Sequence, residues 1–198
     1  PDFWQALRSR AMIHLSHGRT DEGLRDLAEG VDRNPNIDDL RFELIDYLIR
    51  FGKESEAVDA ADAALRTRPS DARLMAQFAS SFVRAGRWAR ASRYLKMMWE
   101  QMGDEQTALA YGNALLNSTP PGLAEMEAVL SSPQLKIEKS PQLLVARAAM
   151  KRKQGKEAAA KADLLASFDL IGADTTKCMG WGRSLREVYP APAERLKF

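Results

Sequence analysis

Apolar residues recur along this chain every three to four positions, and the recurrence itself repeats. Between Ile37 and Ser70, Leu44, Ile45 and Leu48 form one helical stripe and Ala57, Ala61 and Ala64 a second, with Gly52 between them and Pro69 after them. Such a pattern predicts two short amphipathic helices joined by a tight turn and stopped by proline. The stretch before it carries Leu7, Ala11 and His14, then Gly18, then Gly23, Leu27 and Gly30, then Pro35. The stretch after it carries Met75, Phe78, Ala79 and Phe82, then Gly86, then Ala91, Leu95 and Met98, with Gly103 in the proline position. Gly18, Gly52 and Gly86 are 34 residues apart, and Gly155 follows 69 residues later. That period predicts stacked helix-turn-helix units, each burying its apolar face against its neighbours.

Two further units follow with less regularity. In the fourth, Gly112 stands where a leucine is expected, Pro120 and Pro121 occupy the inter-helix turn, and Pro133 stops the second helix early, since it has no amide hydrogen and clashes with the preceding turn. A loop is expected from Ser131 to Ser140. In the fifth, Gly155 and the run Ala158, Ala159, Ala160 and Ala162 keep the pattern, but Arg147 and Lys151 fall where apolar residues are expected. From Thr175 the segment TTKCMGWGRSLREVY reads as one more helix, with Met179, Leu185 and Val188 positioned to cover the open end of the stack. The tail PAPAERLKF reads as extended or disordered.

The third unit resembles the tetratricopeptide repeat family. Met75, Phe78, Ala79 and Phe82 match its first helix, and Ala91 and Leu95 its second. Small residues such as Ala57 and Ala91 are required because helix axes about 8–10 Å apart leave no room for a long side chain. The resemblance implies an all-α fold, a right-handed superhelical solenoid of about five helical hairpins (units near 3–36, 37–70, 71–104, 105–139 and 140–174) with a capping helix and tail at 175–198. It also implies a non-catalytic protein-binding scaffold.

Composition fits a folded protein: 45% apolar and 28% charged residues. The net charge of +2 is too small to imply a polyanionic partner, although residues 1–70 hold ten basic and fourteen acidic side chains, leaving the remainder at +6. A single cysteine, Cys178, excludes an internal disulfide and any multi-cysteine metal site. No apolar run approaches the roughly 20 residues that span a bilayer. The absence of an initial methionine, within a helical pattern, suggests a piece of a longer protein. The alanine- and arginine-rich composition suggests a bacterial one, of the cytoplasm or periplasm.

Catalytic chemistry finds little support. His14 and His17 lie one turn apart, but a metal site needs a third and usually a fourth ligand and the chain has no other histidine. Ser16, His17 and Asp21 are the residue types of a nucleophilic triad, yet neighbours on one helix and its turn cannot converge as that mechanism requires. Gly180-Trp181-Gly182 lacks both a preceding strand and the third glycine of a phosphate-binding loop. No metal, cofactor or small-molecule substrate is expected.

Binding chemistry is better represented. Arg84, Arg87, Arg90, Arg93 and Lys96 form a basic run without an acid, interleaved by Trp88 and Tyr94. It reads foremost as the solvated outer face of a second helix, and only secondarily as a contact for nucleic acid or another anionic polymer. In the resembled family the binding surface is the groove lined by first helices. Here that groove takes Arg8 and Met12 from the first unit, Phe42, Glu43 and Asp46 from the second, Arg73, Gln77 and Arg84 from the third and Tyr111 from the fourth. A protein or peptide segment is the expected occupant, anchored by Met12, Phe42 and Tyr111 and oriented by the charges. Members that clamp a C-terminal carboxylate place asparagine after their basic residue. Here Met12 follows Arg8, and Glu43 stands where the second asparagine would be. The groove therefore does not match a chaperone clamp, while the bacterial-looking composition resembles that of assembly, secretion or polysaccharide-export scaffolds. The regulatory arm of a larger enzyme is the alternative.

Overall fold

The computed structural model describes residues 3–171 and residue 188. Among them are ten α-helices and a 3-10 turn, Ile137–Lys139, and no strand. The helices are α1 Trp4–Ser16, α2 Thr20–Arg33, α3 Asp38–Arg50, α4 Glu54–Thr67, α5 Ala72–Arg84, α6 Trp88–Met102, α7 Glu105–Asn117, α8 Leu123–Leu130, α9 Pro141–Lys153 and α10 Glu157–Ile171. They fall into two compact units, divided between Met98 and Trp99. The first contains α1 to α5 and most of α6, and the second α7 to α10.

The local signals act where the periodicity placed them. Gly18, Gly52 and Gly86 have φ of 74°, 76° and 70°, a left-handed conformation that glycine adopts without steric cost. Asp71, Asp104 and Ser140 precede α5, α7 and α9, and each side chain accepts a hydrogen bond from the amide three residues on. Each satisfies a donor that the helix leaves unpaired. Helix α8 ends at Leu130, three residues before Pro133.

In the first unit the buried stripe is the one the pattern marked. Leu44, Ile45 and Leu48 of α3 and Ala57, Ala61 and Ala64 of α4 are all buried. The third hairpin holds the largest core: Phe78 and Phe82 of α5 and Tyr94 of α6 are fully enclosed. Tyr94 stacks on Phe82 with ring centroids 5.8 Å apart and meets Phe78 edge-on at the same distance. Each such ring contributes about 1.5–3 kcal/mol by burial, and the paired geometry adds to that.

In the second unit Gly112 has a packing role. A Cβ there would sit 3.3 Å from Met126 Cε, so the missing side chain makes room for the methionine of α8. Arg147 and Lys151 are not gaps in the pattern. Arg147 donates through Nε and Nη2 to both oxygens of the buried Asp163, at 3.0 and 2.8 Å, and Lys151 Nζ lies 2.7 Å from Asp163 Oδ2. Two cations on one face of α9 thus neutralise a carboxylate on α10, and the hydrophobic expectation gives way because the ion pair is complete. Of the segment expected to cap the array, only Val188 lies within the described residues. It is buried against Ala148, Ala160 and Leu164.

Candidate functional site

The first helices of hairpins 1 and 2 share a face with an open cavity of about 610 Å³, lined by Trp4, Arg8, Asp39, Phe42, Glu43, Asp46, Tyr47 and Arg50 among others. Helical spacing explains the set: Asp39, Phe42 or Glu43, Asp46 and Arg50 recur every three to four residues and so lie on one side of α3. Arg8 reaches across from α1 and donates to both oxygens of Glu43, at 2.6 and 3.2 Å. Tyr47 donates its hydroxyl to Met12 Sδ at 3.4 Å. Arg84 of α5 holds both oxygens of Asp46, at 3.0 and 2.9 Å. The floor is aromatic and the rim is charged in both signs.

No protein-family model matches the chain, and no curated protein matches its sequence. Solved structures do match. MamA from Desulfovibrio magneticus RS-1 is 16% identical, covering 86% of this chain and 96% of that one with a TM-score of 0.51. MamA of AMB-1 is 16% identical over 89% and 96%, also at 0.51. A thermophilic TPR protein of Thermus thermophilus is 16% identical over 92% and 98%, at 0.48. The match to MamA extends over most of the chain, and the 34-residue period with its left-handed glycine turns fixes the repeat type. The fold is tetratricopeptide-repeat-like.

Within this repeat array the groove residues have unequal access. Arg8, Asp46 and Arg84 are exposed, whereas Glu43 and Met12 are half-buried. Phe42 is half-buried too, its ring edge-on to Phe78 at 5.6 Å, so it ties hairpin 2 to hairpin 3 as well as facing the cavity. Arg73 and Gln77 are exposed on α5. Tyr111 lies in the second unit and is only 2% exposed. Burial raises its pKa, aided by a hydrogen bond to Glu125, and its ring packs inside the unit. Asp39, which the repeat pattern also places in the groove, lines the cavity, and so do Trp4, Tyr47 and Arg50, which it does not. Their signal is present in the sequence, since Asp39, Asp46 and Arg50 share a helical face with Phe42.

The basic run on α5 and α6 is largely neutralised. Arg84 pairs with Asp46, Arg87 with Glu54, and Arg93 with Asp62 at 2.8 Å. The acids come from α3 and α4, one repeat earlier, so a run without acids in sequence is not acid-free in space. Tyr94 faces the core and donates to Asp62 at 3.3 Å; it is no stacking platform for a base.

His14 and His17 do not converge on a common centre. His14 Nε2 lies 3.7 Å from Asp26, while His17 Nδ1 is 2.8 Å from the Ile13 carbonyl. Asp26 is itself held by Arg10, whose Nε and Nη2 donate at 2.8 and 2.7 Å. Among the described residues no three of His, Cys, Asp or Glu gather in a metal-binding group, and no helix is long and apolar enough to cross a membrane.

Proposed function

We propose that the protein is a non-catalytic interaction scaffold whose first-helix face in hairpins 1 to 3 docks a segment of a partner protein. The observation that carries the reading is the open cavity of about 610 Å³ with its aromatic floor and charged rim. A partner's apolar side chain would enter over Trp4, Phe42, Tyr47 and the edge of Met12, where aromatic surface supplies most of the binding energy. The pairs Arg8–Glu43 and Asp46–Arg84, each with an exposed arginine, give direction, because a partner carboxylate can exchange onto the arginine at little cost in water. Arg73 and Gln77 extend the same surface along α5. The composition supports a bacterial setting, and assembly, secretion or polysaccharide export are systems in which such a scaffold would serve. The paired state of the basic run weighs against a nucleic-acid partner.

A photo-crosslinker placed at Phe42 or Arg73, with a control at Arg90 on the second-helix side, tests the proposal. A discrete protein captured only from the first two positions supports it. Capture from Arg90 alone, or of nucleic acid, overturns it.

A further inference from the structure

Helices α2, α3 and α4 line a separate open cavity of about 750 Å³, with Leu24, Ala28, Leu44 and Leu48, the half-buried Ala60 and the exposed Ala63 among its walls. The repeat register explains why it is empty of side chains. Ala60 sits eight residues after Gly52, and the residue eight after Gly86 is Tyr94. In hairpin 3 that tyrosine is fully enclosed, stacked on Phe82 and edge-on to Phe78. Alanine at the same place in hairpin 2 leaves a ring-sized slot between α4 and α2, floored by Leu24, Leu44 and Leu48, each at most 5% exposed.

Charges of both signs line the slot, Arg25, Arg41 and Lys53 with Asp21, Asp32 and Glu56, and Arg41 is the buried one. Arg41, whose side chain is 7% exposed, lines it and donates to Asp38 at 3.2 Å and to the Pro35 carbonyl at 2.9 Å. Asp38 is not Arg41's alone: Arg68 donates to both of its oxygens, at 3.0 and 2.5 Å, and also lies 3.6 Å from Asp71. Burial lowers the Arg41 pKa, the mark of a guanidinium whose desolvation outweighs its partner's charge. Lys53, in contrast, is matched by Asp21 at 2.8 Å and by Glu56 at 3.9 Å. Asp32 lines the cavity as an exposed carboxylate.

We infer that this slot binds a small apolar carboxylate, its hydrocarbon or aromatic body beside Ala60 and Ala63 and its carboxylate on Arg41. The volume fits a small ligand. The body takes the place that Tyr94 fills in the next repeat, and the acid shares the buried Arg41 guanidinium with Asp38. The site is distinct from the first-helix groove and does not depend on it.

The test uses the full chain, 15N-labelled, titrated with 3-phenylpropionate and, in parallel, with 3-phenylpropan-1-ol. Saturable amide shifts at Leu24, Ala60 and Ala63, with the alcohol roughly tenfold weaker, are expected. Ala60→Tyr copies the hairpin 3 residue into the slot and should abolish binding of both probes without unfolding the chain. Arg41→Gln should bring the acid down to the affinity of the alcohol. No saturation by the acid, equal affinity for acid and alcohol, or unchanged binding by Ala60→Tyr overturns the assignment. If Arg41→Gln does not fold, Ala60→Tyr and the alcohol still decide it.

Discussion

Hairpins 1 and 3 fill one position of the same repeat in opposite ways. Eight residues either side of Gly86 stand Phe78 and Tyr94, two fully buried rings in edge-to-face contact. Eight residues either side of Gly18 stand Arg10 and Asp26, joined by two hydrogen bonds. Hairpin 5 repeats the second solution around Gly155 with Arg147 and Asp163. The same level of the hairpin thus accepts a tie of either chemistry, and in hairpin 2, where Leu44 and Ala60 stand at these positions, it has neither a ring pair nor an ion pair. What differs is dependence on surroundings: Phe78 is also covered by Phe42 of the preceding hairpin, whereas the Arg10 side chain is 58% exposed. An apolar tie needs a neighbour to exclude water, and a charged one tolerates water on one side.

The contrast is tested most severely where both kinds of hairpin depend on a small residue. Ala57 is completely buried in the contact between helices, and Ala57→Arg should remove cooperative unfolding of the first unit, as seen in thermal melts followed by circular dichroism. Next, Tyr94→Ala should destabilise by about 3–5 kcal/mol, because the enclosing rings and helices relax only partly around the cavity; a urea titration measures it. Asp26→Asn should cost less, and its effect should depend on pH. Arg10 holds the Asp26 carboxyl below the usual carboxylate range, chiefly by its hydrogen bonds. A depressed folded pKa stabilises above the unfolded value of about 3.9 and loses that advantage as pH falls through the folded pKa. The gap in urea midpoint between wild type and Asp26→Asn should therefore be full at pH 6 and shrink below about pH 4. A gap that stays constant into acid would mean that the tie is not electrostatic. Arg90→Ala, at an exposed position of α6, should change stability by less than about 0.5 kcal/mol. A larger change would place Arg90 in a helix contact and undo the register that relates one hairpin to the next.

Much of the first unit is legible in the amino-acid order. Leu44, Ile45, Leu48, Phe78 and Phe82 announce themselves by spacing because burial of one helical face leaves a periodic trace. The ties of hairpins 1 and 5 are not legible by that rule. Arg147 and Lys151 read as defects in an apolar stripe, since a hydrophobic pattern cannot register a partner on the other helix. The usable signal is symmetry: a base and an acid eight residues either side of the turn glycine, present twice. Tyr111 shows the opposite difficulty. Its position on α7 suggests a groove residue, but which face of a divergent hairpin is inward depends on α8, shortened by Pro133 and packed through Gly112 and Met126.

Helices, turns and repeat are thus written in the chain itself, because they follow from local conformational preference and from a 34-residue period that one dimension records fully. The pairing of charges is not. Arg87 and Arg93 have no acid beside them along the chain and meet Glu54 and Asp62 only because one repeat stacks on the next. Asp38, a single carboxylate between Arg41 and Arg68, and the slot beside Ala60 exist only in that stacking. Charge balance and empty volume are properties of neighbours in space, and a sequence orders neighbours only along the chain.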